Sequence, residues 1–273
     1  MSLFITSLNS GSNGNCYYIS NGEDAILIDT GISCRETERR MQRLGLSMAK
    51  VRAIFISHEH SDHISGLRVL SKKYNLPVYI TPATQKHIGT LSDTARIIHF
   101  SHADVVRVGA LSVTPFLKRH DAADPHSFMV AYNGVRVGVF TDIGSVCDQL
   151  TGYFRQCHAA FLEANYDEKM LEQGSYPYHL KRRISGGKGH LSNSQALELF
   201  IAHKPAYMTH LFLSHLSRDN NDPQLVLDMF RAHSGSTYVT VASRYQEIPV
   251  FEIGPENRTA IQPLPAVGQL ALF

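Results

Sequence analysis

None of the four cysteines, Cys16, Cys34, Cys147 and Cys157, lies in CxxC spacing, so the chain offers neither a thiolate metal cluster nor a dithiol redox pair. Scattered cysteines of this kind fit a reducing cytoplasm. Long apolar runs are missing too. No uncharged stretch approaches the roughly 18 residues a membrane-spanning helix needs. The opening MSLFITSLNSGSNG has neither a basic start nor a long apolar core, so it does not read as a signal peptide. The expected setting is therefore cytoplasmic, with no membrane partner. Charge excess is absent as well: the net charge is +2 and the pI about 8.3, too mild to announce a nucleic-acid protein, so any basic surface must be local. Repeats of 20–50 residues and low-complexity blocks are not visible, which argues against solenoids and arrays.

What is present is a chain of 273 residues, 43% hydrophobic, with an excess of histidine, fifteen in all. Histidine is the commonest transition-metal ligand and the usual proton carrier near neutral pH. Strands are expected at LFITSL, CYYIS, DAILIDTG, VRAIFIS and LPVYIT. A second group is expected at ARIIHF, VVRVG, LSVTPFLKRH, SFMVAYN, VRVGVFTD, AAFLEAN, AYMTHLFLS and STYVTVA. Helices are expected over 34–45, closed by Gly45, and at ISGLRVLSKKY, PATQKHIGTL (Pro82 in its first turn), 145–156, SNSQALELFIAH and DPQLVLDMFRAH. The mixture runs through both halves without a linker. It supports one domain over 1–273, with a core over 1–250 and a tail over 251–273, of α/β or α+β class.

The densest chemistry is HEHSDH at 58–63, directly after an apolar strand. A lone surface histidine is ordinarily just solvated. Four ligand-type residues in HxHxDH spacing at a strand end are different, because the rigid support lets all of them point into one cavity. Three more strands each deliver one such residue at the end: His120 in FLKRHDAADP, Asp142 in VGVFTDIG and His215 in LFLSHLS. The expected set is His58, His60 and His120 on one divalent metal, and Asp62, His63 and His215 on a second, with Asp142 bridging. All are N or O donors, which suits Zn²⁺ but also Mn²⁺ or Fe²⁺. Glu59, between the two histidines, points the other way along the chain.

HEHSDH, His120, the TD of Asp142 and the late His215 resemble the metal motifs of the metallo-β-lactamase fold. The resemblance runs from about residue 3 to 245 and is nearest to the YycJ/WalJ-type branch, implicated as exonucleases. The matching pieces are SGSNGN, HDAADP, TDIG, LEANYD, YPYHLKRRISGGKGHLSN and LSHLSRDNN. His126 and Tyr166 depart from the expected pattern, at a small residue and a histidine respectively. The resemblance implies a four-layer αββα sandwich with the metals at one rim. It also excludes the large inserted domain or glycine-rich arm of the RNA-processing relatives.

Two metals bridged by a carboxylate share a water and lower its pKa, so hydroxide is available near neutral pH. That chemistry serves phosphate esters, lactams, lactones and thioesters alike. The choice among them comes from HLKRRISGGKGHLSN, where Lys181, Arg182, Arg183 and Lys188 precede His190, and Ser192 and Asn193 add donors. A run of this kind is often only a solvated basic loop. Here the resemblance places His190 beside the metals, like the histidine that protonates the leaving oxygen in ribonuclease Z-type relatives. With His190, the carboxylates Asp62 and Asp142 make up the expected catalytic group. Lys181, Arg182, Arg183, Lys188, Ser192 and Asn193 are the expected substrate contacts. Glu163 ends a strand near the site, where it would orient a ligand histidine. SGSNGN is either a phosphate cradle or a plain hairpin loop. The leading reading is a metal-dependent phosphodiesterase on nucleic acid, a DNA exonuclease. The alternative is a phosphodiesterase for a small cyclic or nucleotide-like ester, and behind it a thioester or lactone hydrolase. Oligomeric state is not legible.

Overall fold

The computed structural model describes residues 2–89, 91 and 96–255. The first half runs β1 (Leu3–Asn9), β2 (Cys16–Ser20), β3 (Ala25–Ile28), α1 (Cys34–Arg43), β4 (Val51–Phe55), α2 (Ser61–Ile64), α3 (Leu67–Tyr74), β5 (Val78–Ile80), α4 (Pro82–Ile88) and β6 (Ile97–His99). The second runs β7 (Val106–Val108), β8 (Leu111–Leu117), β9 (His126–Tyr132), β10 (Val135–Phe140), α5 (Asp148–Phe154), β11 (Ala159–Glu163), α6 (Glu168–Gln173), α7 (Tyr178–Ser185), α8 (Asn193–His203), β12 (His210–Ser214), α9 (Pro223–Arg231), β13 (Tyr238–Val241) and β14 (Phe251–Ile253). Two seven-stranded sheets result among the described residues, ordered β14-β1-β2-β3-β4-β5-β6 and β13-β12-β11-β10-β9-β8-β7.

Local chemistry sets the element ends. Ser33 caps α1 by accepting the Glu36 N–H, and Gly45 follows the helix at φ +68°. Thr81 caps α4 ahead of Pro82, and Ser192 with Gln195 forms a capping box on α8. Asn133 and Gly134 turn the β9–β10 hairpin with both φ positive, as a two-residue turn requires.

Three apolar clusters define the layers. Ile5, Tyr17 and Phe55 of the first sheet meet Phe128, Phe161 and Phe212 of the second between the sheets. Met41, Leu67 and Leu70 cover the outer face of the first sheet, and Phe154, Phe200 and Phe230 that of the second. This is the four-layer αββα arrangement expected from the resemblance.

Two expectations change. Phe251–Ile253, assigned to the tail, pairs antiparallel with β1 at Leu3–Ile5, because Phe251 and Ile253 have core to bury. The rest of that tail, residues 256–273, lies outside the described residues, as do Thr90 of PATQKHIGTL and Ala95 of ARIIHF. The basic stretch read as a loop is helix α7, and α6 before it was not anticipated. None of the α7 residues is buried, so it carries no apolar stripe by which a helix would be read.

Candidate metal centre

The strands of both sheets end on one rim. β3 and β4 are parallel, β10, β11 and β12 are parallel, and β8 shares the direction of β10 because both run antiparallel to β9. Just past these ends stand Asp29, His58, His120, Asp142 and His215, and Glu163 is the last residue of β11. Asp29, Asp142 and His215 hold φ at +59°, +56° and +57°. Non-glycine residues in that region carry strain of about 1–3 kcal/mol each, tolerated best by Asp, Asn and His. The strain turns each side chain off its strand and into the rim.

His58, His60 and His120 bring one nitrogen each to a common point. His58 Nε2 lies 3.0 Å from His60 Nδ1, which lies 3.3 Å from His120 Nε2. Asp62, His63, Asp142 and His215 form a second such group. His63 Nε2 is 3.0 Å from Asp142 Oδ2, and His215 Nε2 is 3.3 Å from Asp62 Oδ2 and 3.6 Å from Asp142 Oδ1. Asp142 Oδ1 also sits 3.8 Å from His120, so this carboxylate stands between the groups. Ligand atoms of a tetrahedral site with bonds of about 2.0–2.1 Å lie roughly 3.3 Å apart. Both groups have that spacing. Asp142 Oδ2 is buried without an aligned hydrogen bond, as a carboxylate aimed at a cation would be. The residues fit two divalent ions.

Several of the ligand-type residues are held from behind. Asp29 accepts from the Ser57 N–H and hydroxyl at 2.8 Å each, and its Oδ2 lies 2.7 Å from His63 Nδ1. His120 Nδ1 is 2.9 Å from the Gly189 carbonyl. Asn165 donates to the His215 carbonyl at 2.7 Å, and the His215 N–H donates to Ser10 at 2.8 Å. Gly31 permits the close approach of the HEHSDH segment: a Cβ there would lie 1.7 Å from the Asp62 carbonyl oxygen.

Asp142, Glu163, His190 and His215 also converge. Glu163, however, is fully engaged in hydrogen bonds. Its Oε1 lies 2.8 Å from His190 Nδ1 and 3.0 Å from His215 Nδ1, and its Oε2 accepts the Ile143 and Leu191 N–H groups at 2.6 and 3.2 Å. With Nδ1 of both rings donating to this carboxylate, their Nε2 atoms are left for other work. The His190 ring is 5.4 Å from that of His120 and 5.2 Å from that of His215, beside both groups. Its loop reaches there because Gly144 carries no side chain; a Cβ would meet the Lys188 backbone at 2.5 Å.

Electrostatics differ between the groups. Burial lowers His58 well below the ordinary histidine range, helped by the charges of His63 and Lys118, and takes His120 down to about 4. Their rings are neutral and offer lone pairs. Burial would lower His63 and His215 also, but carboxylates overrule it. Asp142, Asp29 and Asp62 raise His63 well above its usual value. Asp142, Asp62 and Glu163 bring His215 to about 10. Burial likewise opposes ionisation of Glu163, yet His190 and His215 hold it near 2. The buried Lys118, whose ammonium donates to the Thr141 carbonyl at 2.7 Å, is lowered by burial.

The seven expected ligand positions thus come together, with Glu163 and His190 beside them. The expected substrate contacts do not all survive. Ser192 and Asn193 are buried, occupied by the α8 cap and by a bond to Asn221 at 2.9 Å, so neither faces a substrate. Lys181 donates to the Glu172 carbonyl, and Arg183 pairs with Asp121 at 2.5 Å. Arg182 and Lys188 are exposed. In SGSNGN the N–H groups of Ser10, Gly11, Gly14 and Asn15 are bonded within the protein, so this part of the loop buttresses the rim. Asp29, Ser57, Asn165 and Lys118 were not foreseen. One signal was available for Asp29, since IDTG closes β3 as TDIG closes β10.

This fold, with its rim of histidines and carboxylates, defines the class: the chain belongs to the beta-lactamase superfamily, whose domain model matches residues 24–215. Within it the chain is 38% identical to the exodeoxyribonuclease YycJ of Bacillus anthracis, over 82% of this chain and 86% of that one. It is 31% identical to the exodeoxyribonuclease WalJ of Streptococcus pneumoniae, over 80% and 83%. The metallo-beta-lactamase fold protein YhfI of Bacillus subtilis superposes with a TM-score of 0.72 at 16% identity, covering 92% of this chain and all of that one. That likeness concerns the fold.

Proposed function

We propose that the chain is a dinuclear metal-dependent phosphodiesterase acting on nucleic acid, as a DNA exonuclease. The observation that carries this reading is the pairing of two ligand groups across Asp142 with a histidine, His190, that Glu163 holds at their shared edge. His58, His60 and His120 would hold one ion, and Asp62, His63 and His215 the other, with Asp142 between them and Zn²⁺ or Mn²⁺, or else Fe²⁺, as the metal. Bound there, the ions supply Lewis acidity toward a phosphoryl oxygen and a water activated near neutral pH.

The chain's own residues do the rest. Glu163 accepts from Nδ1 of His190 and fixes the ring, so Nε2 is the atom that hands a proton to the departing sugar oxygen, a poor leaving group without it. A lactone or thioester hydrolase has no need of such an acid beside a basic helix. Arg182 and Lys188 face solvent on that side and suit backbone phosphates. The curated relatives named as exodeoxyribonucleases support DNA as the polymer. No helix among the described residues is long and apolar enough to cross a membrane. A bacterial DNA substrate would place the activity in the cytoplasm.

The test is His190→Ala on two substrates. Cleavage of unactivated DNA should fall about 10²–10⁴-fold, while a nitrophenyl phosphodiester, whose leaving group needs no proton, should be far less affected. Equal slowing of both, at unchanged metal content, would remove His190 from the leaving-group role.

A further inference from the structure

A cavity of about 540 Å³ opens between α6 and α7 and uses none of the residues grouped in the metal centre. Its walls include Tyr166, Leu171, Tyr178, Glu172, Lys181 and Arg182. Chain connections tie it to the metal centre on two sides. The Tyr166 carbonyl accepts the Asn193 N–H at 2.8 Å, one residue after the Asn165 that braces His215. At the far end of α7, the Ile184 carbonyl accepts the His190 N–H at 2.9 Å. The cavity therefore flanks the His190 end of the rim.

Its lining is mixed in a particular way. Tyr178 is 75% exposed at the first turn of α7, so most of its ring is left open among the described residues. Leu171 and Tyr166 form an apolar floor. Glu168 and Glu172, both carboxylate residues, are also among its lining. Arg182 lies one turn after Tyr178 and makes no side-chain hydrogen bond or ion pair among the described residues. A flat ring with N–H donors on its edge and an anion attached matches that set: the ring stacks, the edge meets the carboxylate, and the anion meets the guanidinium.

We propose that this cavity is a nucleobase subsite, which takes one unstacked base of the strand, set on Tyr178, and passes the adjoining phosphate to Arg182. The proposal rests on the nucleic-acid reading above and adds a base-reading contact to it. Stacking of this kind tolerates every base, while the carboxylate favours bases with an exocyclic amino group, adenine, guanine and cytosine, over thymine.

The experiment uses full-length protein reloaded with Mn²⁺ and end-labelled oligonucleotides in which one nucleotide at a time is made abasic, walking inward from the end. Wild type should show one position where the missing base raises KM about tenfold with little change in kcat, a loss within the range of base–aromatic stacking. Tyr178→Ala should abolish that dependence and Tyr178→Phe should keep it. A 2-aminopurine at the same position should be quenched on binding to wild type and not to Tyr178→Ala, a readout that needs no turnover. Cleavage of DNA by wild type without any abasic-sensitive position, or with one that Tyr178→Ala retains, would overturn the subsite and leave the nuclease intact. Failure of wild type to cut DNA at all would overturn both.

Discussion

Replacing Glu163 with Gln changes almost no volume yet removes the acceptor on which four donors converge. Oε1 receives the Nδ1–H groups of His190 and His215, and Oε2 receives the backbone N–H groups of Ile143 and Leu191. A carboxamide has one oxygen, enough for two of them. The other two must face an NH₂ group in a fully buried position. At about 1–3 kcal/mol for each buried donor left unsatisfied, Glu163→Gln should lower stability by about 2–6 kcal/mol. That is a large part of the 5–15 kcal/mol typical of a domain. Catalysis should suffer separately, because at least one histidine loses the carboxylate that orients it. Urea unfolding of wild type and variant, with the midpoint and slope read together, gives the first quantity, and turnover of DNA against a nitrophenyl diester gives the second. A variant within about 0.5 kcal/mol of wild type and equally active would refute the claim that this carboxylate organises the site.

Asp142→Ala should reduce metal content after reloading from two ions per chain and abolish DNA cleavage, with the far-ultraviolet circular dichroism spectrum kept, as elemental analysis and spectra would show. In the metal-free chain His215, held near 10, carries a proton that stabilises the fold fully below the unfolded value of about 6.5 and ceases to do so as pH rises through about 10. Metal must displace that proton, so filling of its group should strengthen from pH 6.5 toward 10 with proton release, measurable by calorimetry in buffers of different ionisation enthalpy; filling without release would contradict the assignment. Neutralising Arg182 and Lys188 together should weaken DNA binding and flatten its salt dependence by roughly 0.7–0.9 in log–log slope for each phosphate no longer neutralised, whereas unchanged binding would make these charges mere solvated surface.

The clustering of the seven ligand-type residues was legible because metal chemistry demands particular residue types, and the fold delivers them at strand ends that apolar patterning marks clearly. HEHSDH announces itself, and His120, Asp142 and His215 repeat its situation after β8, β10 and β12. What failed to show were residues whose role depends on distant neighbours. Ser192 and Asn193 are ordinary donors in the sequence; only the docking of α8 turns them inward. Arg183 belongs to a basic run until Asp121, far away in the chain, claims it. Asp29 meets His63 only once β3 and β4 pair in register. Helix α7 escaped because none of its side chains is buried, and Phe251–Ile253 because three residues make too short a strand for alternation to be seen.

Under the proposed function, two metals held by this rim would cleave DNA from its ends. Protein stripped by a chelator and titrated with Mn²⁺ or Zn²⁺ in known equivalents, assayed on linear and circular single-stranded DNA of one sequence, tests it most directly. Mononucleotide release from the linear form should grow with the second equivalent and level off at two, while the circle stays uncut. Full activity at one equivalent, activity that persists in chelator, or equal cleavage of the circle would contradict it.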